Sequence, residues 1–192
     1  MRLRRVVIVG IPGVGKSTLV AKVVELLGEN GLSTKVVNYG SVMMQQATKL
    51  YNISSRDEMR KLSVETQRNL QVYAAAEISK LADQVVIVDT HLFISTSEGY
   101  WPGMPMDVLQ ALKPTNLVLV VAKPEEIMER RKNDTTRARD TATRESLLVE
   151  LEAAISLFFA SSLVMGCPAL VVENPEGPVE PAASKIIAAI SS

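Results

Sequence analysis

The 192-residue chain holds one cysteine, one histidine and only 4% aromatic residues. A lone Cys167 excludes an internal disulfide and suits a reducing compartment. With His91 as its only companion it cannot build a Cys/His zinc site either. Net charge is missing too, because 21 basic residues balance 21 acidic ones. No global field draws such a chain to nucleic acid or to acidic membranes, and neither is expected as a partner. Repeats, low-complexity tracts and Pro/Ser-rich linkers are absent, which argues for one domain over 1–192. Ala153 to Val172 carries no formal charge and is long enough to span a bilayer. Gly166 and Pro168 interrupt it, so it reads as a helix end, a turn and a buried strand. Met1-Arg2-Leu3-Arg4-Arg5 imitates the start of a signal peptide, but the apolar residues after it read as a first strand and Lys16 cuts them short. A soluble, cytoplasmic protein is the expectation.

What the chain does have is apolar content of 47%, arranged in blocks. Strand-like blocks recur at Val6–Val9, Lys35–Val37, Val85–Val88, Leu117–Val121 and Ala169–Val172. Helical patterns lie at about 16–29, 41–50, 56–82, 124–133, 143–165 and 181–191. Strands apolar on both faces and alternating with helices predict a five-stranded parallel sheet in a three-layer α/β/α sandwich. Two segments exceed what the crossovers need: a helical insertion at about 40–75, and a polar, arginine-dense stretch at about 130–142 that suits a lid.

The sharpest signal is Gly10-Ile11-Pro12-Gly13-Val14-Gly15-Lys16-Ser17-Thr18. It fits G-x-x-x-x-G-K-[ST], follows the first strand block and opens the first helical pattern. A strand, a glycine-rich turn and a helix N-terminus aim backbone N–H groups at one point, which is a polyphosphate site. Lys16 is placed to reach the β and γ phosphates, and the Ser17 hydroxyl to ligate Mg²⁺. Asp89 ends the third strand block and is the second candidate for the metal. No Glu follows it, as Thr90 and His91 do, which favours passing the phosphoryl group to a bound acceptor over activating water.

Arginine supplies the next clue, since phosphoryl transfer is catalysed mainly by positioning and charge stabilisation. Arg131, Arg137 and Arg139 are the candidates for neutralising the transferring group, ahead of Arg130. Arg56 and Arg60 are four apart on one helix face and could grip an acceptor phosphate. Gln67 and Gln71 share that spacing and could meet a base edge. Tyr39 could stack beside a base, with Gly40 permitting close backbone approach. His91 either touches an acceptor phosphate or satisfies a loop carbonyl. Gly99 to Pro105 reads as a turn-rich loop whose aromatics wall a base or cap the core.

Taken together these blocks resemble the archaeal-type adenylate kinases. The likeness rests on Gly10–Thr18, Asn38-Tyr39-Gly40, Arg56 to Ser63, Asp89-Thr90-His91, Gly99 to Pro105, and Asp134-Thr135-Thr136-Arg137-Ala138-Arg139, in family order over most of the chain. The resemblance implies reversible transfer, ATP + AMP ⇌ 2 ADP, with Mg²⁺, in the cytoplasm, by a homotrimer. Bacterial and eukaryotic members carry an arginine in a D-G-F-P-R block where this chain has Asp89-Thr90-His91-Leu92-Phe93, so the acceptor phosphate is left to Arg56, Arg60 and the lid. Ser41 stands where archaeal members often have an acidic residue, and the sequence assigns it no role. Two alternatives remain open: a kinase for CMP, UMP or a nucleoside, and an adenylate-kinase-like ATPase acting in ribosome assembly.

Overall fold

The computed structural model describes residues 3–96, 99–133 and 143–191. Five parallel strands form the central sheet: β1 (Arg4–Val9), β2 (Thr34–Asn38), β3 (Val85–Asp89), β6 (Asn116–Val121) and β7 (Ala169–Glu173). Their order is β2-β3-β1-β6-β7. The three central strands are almost wholly inaccessible from Val6 to Val9, Val85 to Val88 and Leu117 to Val120. Such valine-rich runs tolerate no solvent face, which is why the helices cover both sides. The edge strands are less continuous, with Val36 and Val171 exposed.

Register places the chemistry. Ile8 on β1 lies beside Asp89 on β3, and Asp89 lies beside Asn38 on β2. Three strand tips therefore bring the phosphate loop, the carboxylate and Asn38 into one row at the carboxyl edge of the sheet, where ligands of open α/β sheets bind.

Around the sheet run α1 (Lys16–Glu29), α2 (Tyr39–Tyr51), α3 (Arg56–Arg60), α4 (Val64–Ser79), α5 (Met106–Leu112), α6 (Pro124–Asn133), α7 (Arg144–Met165) and α8 (Glu180–Ser191). Side-chain caps set several starts: Asn38 accepts from Ser41 N–H, Ser55 from Glu58 N–H, Ser63 from Thr66 N–H and Thr143 from Ser146 N–H. The expected single pattern over 56–82 is thus two helices, because Ser63 starts a new one. The segment after β3 also differs from expectation. Rather than a loop it is a hairpin, β4 (Phe93–Thr96) against β5 (Gly99–Pro102), followed by α5. Phe93 packs on Tyr100, and the Arg68 guanidinium lies over the Trp101 ring at 5.9 Å. These aromatics therefore fasten the hairpin to itself and to α4.

Helix α7 is 22 residues long and apolar enough to cross a membrane, with little of its apolar window buried. It ends as the sequence implies, at Gly166 in the left-handed conformation, before β7. Arg5 is a buried cation on β1 without an acidic partner among the described residues. It donates to the Leu112 and Lys113 carbonyls at 2.9 and 3.2 Å and to the Ser79 carbonyl at 2.8 Å. Those carbonyls end α5 and α4, so the positive charge meets the negative ends of two helices.

Candidate active site

Gly10–Thr18 leaves β1 and enters α1 as a phosphate loop. Gly13 and Gly15 take φ of 93° and 81°, a region closed to most side chains. Gly15 is the N-cap of α1 and offers no side-chain acceptor. The first-turn N–H groups of α1 are therefore left for a ligand, with the helix dipole behind them. In front opens a cleft of about 580 Å³, lined by the loop, Asn38, Asp89, His91, Arg130 and residues 174–177 and 179. That volume suits a nucleotide.

Inside the cleft Lys16 Nζ pairs with Asp89 Oδ1. Asn38 Nδ2 donates to the other oxygen, Asp89 Oδ2, at 3.2 Å. Asn38 Oδ1 accepts from the backbone N–H of Ser41 at 3.0 Å and from its hydroxyl at 3.1 Å. The Arg56 guanidinium in turn donates to Ser41 Oγ at 3.3 Å. Ser41, given no role by the sequence, thus stands between the strand-tip carboxylate and Arg56. His91 lines the cleft with Nδ1 3.3 Å from the Gly10 carbonyl.

Ser17 and Asp89 line the same wall and offer a hydroxyl and a carboxylate. An all-oxygen set with few protein ligands is what Mg²⁺ accepts alongside phosphate oxygens. No cluster of three His, Cys, Asp or Glu residues occurs among the described residues, so a cage made wholly of such side chains is not an alternative there. The residues present fit the metal.

The arginines fall out differently from the sequence ranking. Arg137 and Arg139 lie outside the described residues. Arg131 is committed elsewhere: Nε donates to the Pro12 carbonyl and Nη2 to Glu150 Oε2, both at 2.9 Å. It staples the phosphate loop to α7 instead of facing the cleft. Arg130, ranked below it, lines the cleft. Its Nη2 donates to the Asn174 carbonyl at 3.0 Å, while its buried Nη1 has no hydrogen-bond partner among the described residues. A cation with one N–H group unsatisfied beside a phosphate loop can serve as an anion receptor. Neighbouring residues on a helix point about 100° apart, so adjacent Arg130 and Arg131 had to part, and sequence spacing could not say which faced inward.

On the acceptor side the expectations also separate. Arg56 and Arg60 are exposed on α3, and Arg60 pairs with Asp57 at 3.2 Å. Gln67 spends its amide donors on the Arg60 and Leu62 carbonyls at 3.1 and 2.8 Å, closing the end of α3. Tyr39 is a correction: it is 3% exposed, and its hydroxyl donates to the Gln71 carbonyl. Burial pushes its phenol pKa well up, and its ring is core packing for α2 against α4, with no face offered to a base. Gly40 remains close to Arg56 at the head of α2.

Sequence reasoning missed Asn174, Glu126 and Glu150. Glu126 accepts from the Glu176 N–H at 2.9 Å and the Lys123 N–H at 3.1 Å. With Arg130 four residues on, it ties α6 to the cleft loop after β7. The i,i+4 spacing of Glu126 and Arg130 was visible, but their partner loop was not.

A phosphate loop with an uncapped helix behind it, an ion pair from that helix's first residue to a strand-tip carboxylate and an arginine beside the loop define a P-loop phosphotransferase. The family model described as an AAA domain matches residues 9–148. A curated adenylate kinase of Sulfurisphaera tokodaii is 40% identical, the match covering 94% of this chain and 96% of the relative. One of Thermoplasma acidophilum is 41% identical, covering 97% and 98%. Among solved structures, shikimate kinase from Bacteroides thetaiotaomicron superposes with a TM-score of 0.63 at 11% identity, over 98% of this chain and 99% of that one, a likeness of fold. The chain belongs to the adenylate kinase family.

Proposed function

We propose that the chain catalyses ATP + AMP ⇌ 2 ADP with Mg²⁺, as a single domain whose insertion at about 40–75 receives AMP and whose segment at about 130–142 closes as a lid. The observation that carries this reading is the pairing of Lys16, at the open N-terminus of α1, with Asp89 at the tip of β3. The phosphate loop holds the ATP phosphates through backbone N–H groups and Lys16. Ser17 and Asp89 would hold Mg²⁺, which supplies charge neutralisation on the β and γ phosphates. When the triphosphate arrives, Lys16 exchanges its carboxylate for phosphate oxygens. Arg130 Nη1 meets the same phosphates from the side of α6.

The acceptor needs no general base, because an AMP phosphate oxygen is already an anionic nucleophile. Arg56 and Arg60 receive that phosphate, with Gly40, Gln67 and His91 bordering the acceptor. Arg137 and Arg139 complete the charge compensation from the lid. Closure of both flaps excludes water and so limits hydrolysis.

Self-association as a homotrimer is part of the reading. The exposed apolar residues Val149, Ile155, Phe159, Leu163 and Val164 of α7 support it, as uncovered hydrocarbon that a neighbouring copy would cover. A cytoplasmic location accords with the lone cysteine. A coupled assay offering ATP with each nucleoside monophosphate in turn tests the activity. ADP formation with AMP, and little with CMP or UMP, is the expected result. Loss of AMP turnover in a folded, Mg²⁺-supplied protein rejects it, and ATP hydrolysis stimulated by ribosomal particles would mark the assembly-factor alternative.

A further inference from the structure

Beside the phosphate loop, on the wall of the cleft, lies a polar side chain that the mechanism above does not use. Asn174, just past β7, is 4% exposed. Its Nδ2 donates to the Val14 carbonyl at 2.9 Å across 160 residues of chain. Its backbone N–H donates to the Val121 carbonyl at 2.8 Å, and its own carbonyl receives Arg130 Nη2 at 3.0 Å. One residue thus joins the end of β6, helix α6 and the middle of the phosphate loop. A Cβ on Gly15 would overlap the Asn174 amide, so the amide fills the space that the glycine leaves.

In a planar trans peptide the carbonyl and the following N–H point to opposite sides. Holding the Val14 carbonyl therefore also fixes the direction of the Gly15 N–H. We propose that Asn174 is a positioning residue for phosphoryl transfer: it sets the Val14–Gly15 peptide so that the Gly15 N–H serves the triphosphate, and it keeps Arg130 beside the loop. This rests on the phosphotransferase reading of the donor cleft. A buried amide donor to a loop carbonyl is a preorganising contact, since the loop need not find its conformation at each encounter.

The test uses two neutral variants, Asn174→Leu, which keeps roughly the shape, and Asn174→Ala. Each is measured for KM of ATP, KM of AMP, kcat, and ATP affinity by calorimetry in EDTA without AMP. The proposal expects a rise of about tenfold or more in the KM of ATP and in the calorimetric Kd, with a fall in kcat and a KM for AMP within about twofold of the parent. A merely structural amide would lower thermal stability while leaving that ratio untouched. The proposal is overturned by KM values that move together, by neither moving beyond twofold, or by failure of both variants to fold. Unmodified protein that binds ATP but does not turn over AMP would sink the adenylate kinase reading and leave the calorimetric comparison standing.

Discussion

The donor cleft and the acceptor flap are built to different standards of rigidity. On the donor side the contacts come from far apart in sequence: Arg131 to Pro12 and Glu150, Asn174 to Val14, Arg130 to the Asn174 carbonyl, Glu126 to the Glu176 N–H, with the Asn174 bond buried and the Arg130–Asn174 and Arg131–Glu150 contacts partly so. On the acceptor side Arg56 and Arg60 sit in the open, on a five-residue helix, with Ser41 and Asp57 as their partners. Exposed pairs of this kind contribute little, about 0–1 kcal/mol. Under the proposed reading, ATP meets a preformed surface, whereas AMP must organise its own.

The largest expected break in this contrast is Lys16→Ala. It removes a cation from a preformed site, so kcat should fall by about 10²–10³-fold with the fold intact by circular dichroism; a rate near the parent's would contradict the phosphate-loop role. Next comes a paired comparison on α6. Arg130→Met should lower kcat by about 10-fold or more, while Arg131→Met should act chiefly on stability, lowering Tm by a few degrees as an anchored pair is lost. Kinetics and thermal melts on the two proteins side by side would show the reverse pattern if the assignment of inward and outward arginine is wrong. On the soft side, Arg60→Ala should raise the KM for AMP by about 5–10-fold and leave that for ATP nearly unchanged.

The smallest effect concerns pH. The backbone N–H of Glu176 first, and then that of Lys123, hold the Glu126 carboxyl below its ordinary value. A depressed folded pKa adds stability above the unfolded value, about 4.3, and loses it as pH falls through the folded one. The Tm gap between the parent and Glu126→Gln should therefore be present at pH 7 and narrow as pH falls below about 4.3 and through the folded value. A gap that does not narrow at all on acidification would show that the carboxylate's charge is not what holds the loop.

How far could the residues be read before the structure? The five sheet strands announced themselves as valine-rich blocks, since buried parallel strands leave a continuous apolar signature. The phosphate loop was equally plain, because glycines, Lys16 and Ser17 are needed at fixed spacing. The β4–β5 hairpin was not, because four-residue strands next to Gly99 and Pro102 look like turn chemistry, and their pairing depends on contacts with α4. Tyr39 misled for a similar reason: its position at a strand end suggested an open site, but α2 starts at once and turns the ring inward. The choice between Arg130 and Arg131 depended on Glu150 and Asn174, neither of which carries any local signature. Local chemistry was legible, and long-range partnership was not.

The sheet order has one further consequence. β1 is flanked on both sides, by β3 and β6, and the phosphate loop hangs from its end. Opening that loop's root means dissolving the middle of the sheet, so amides of β1 and β3 should exchange with deuterium only through global unfolding. Amides of α3, with no buried residue to anchor it, should exchange through local fluctuations orders of magnitude faster. Under the proposed reading, the chain can flex where it greets its acceptor many times over without loosening the seat of the triphosphate.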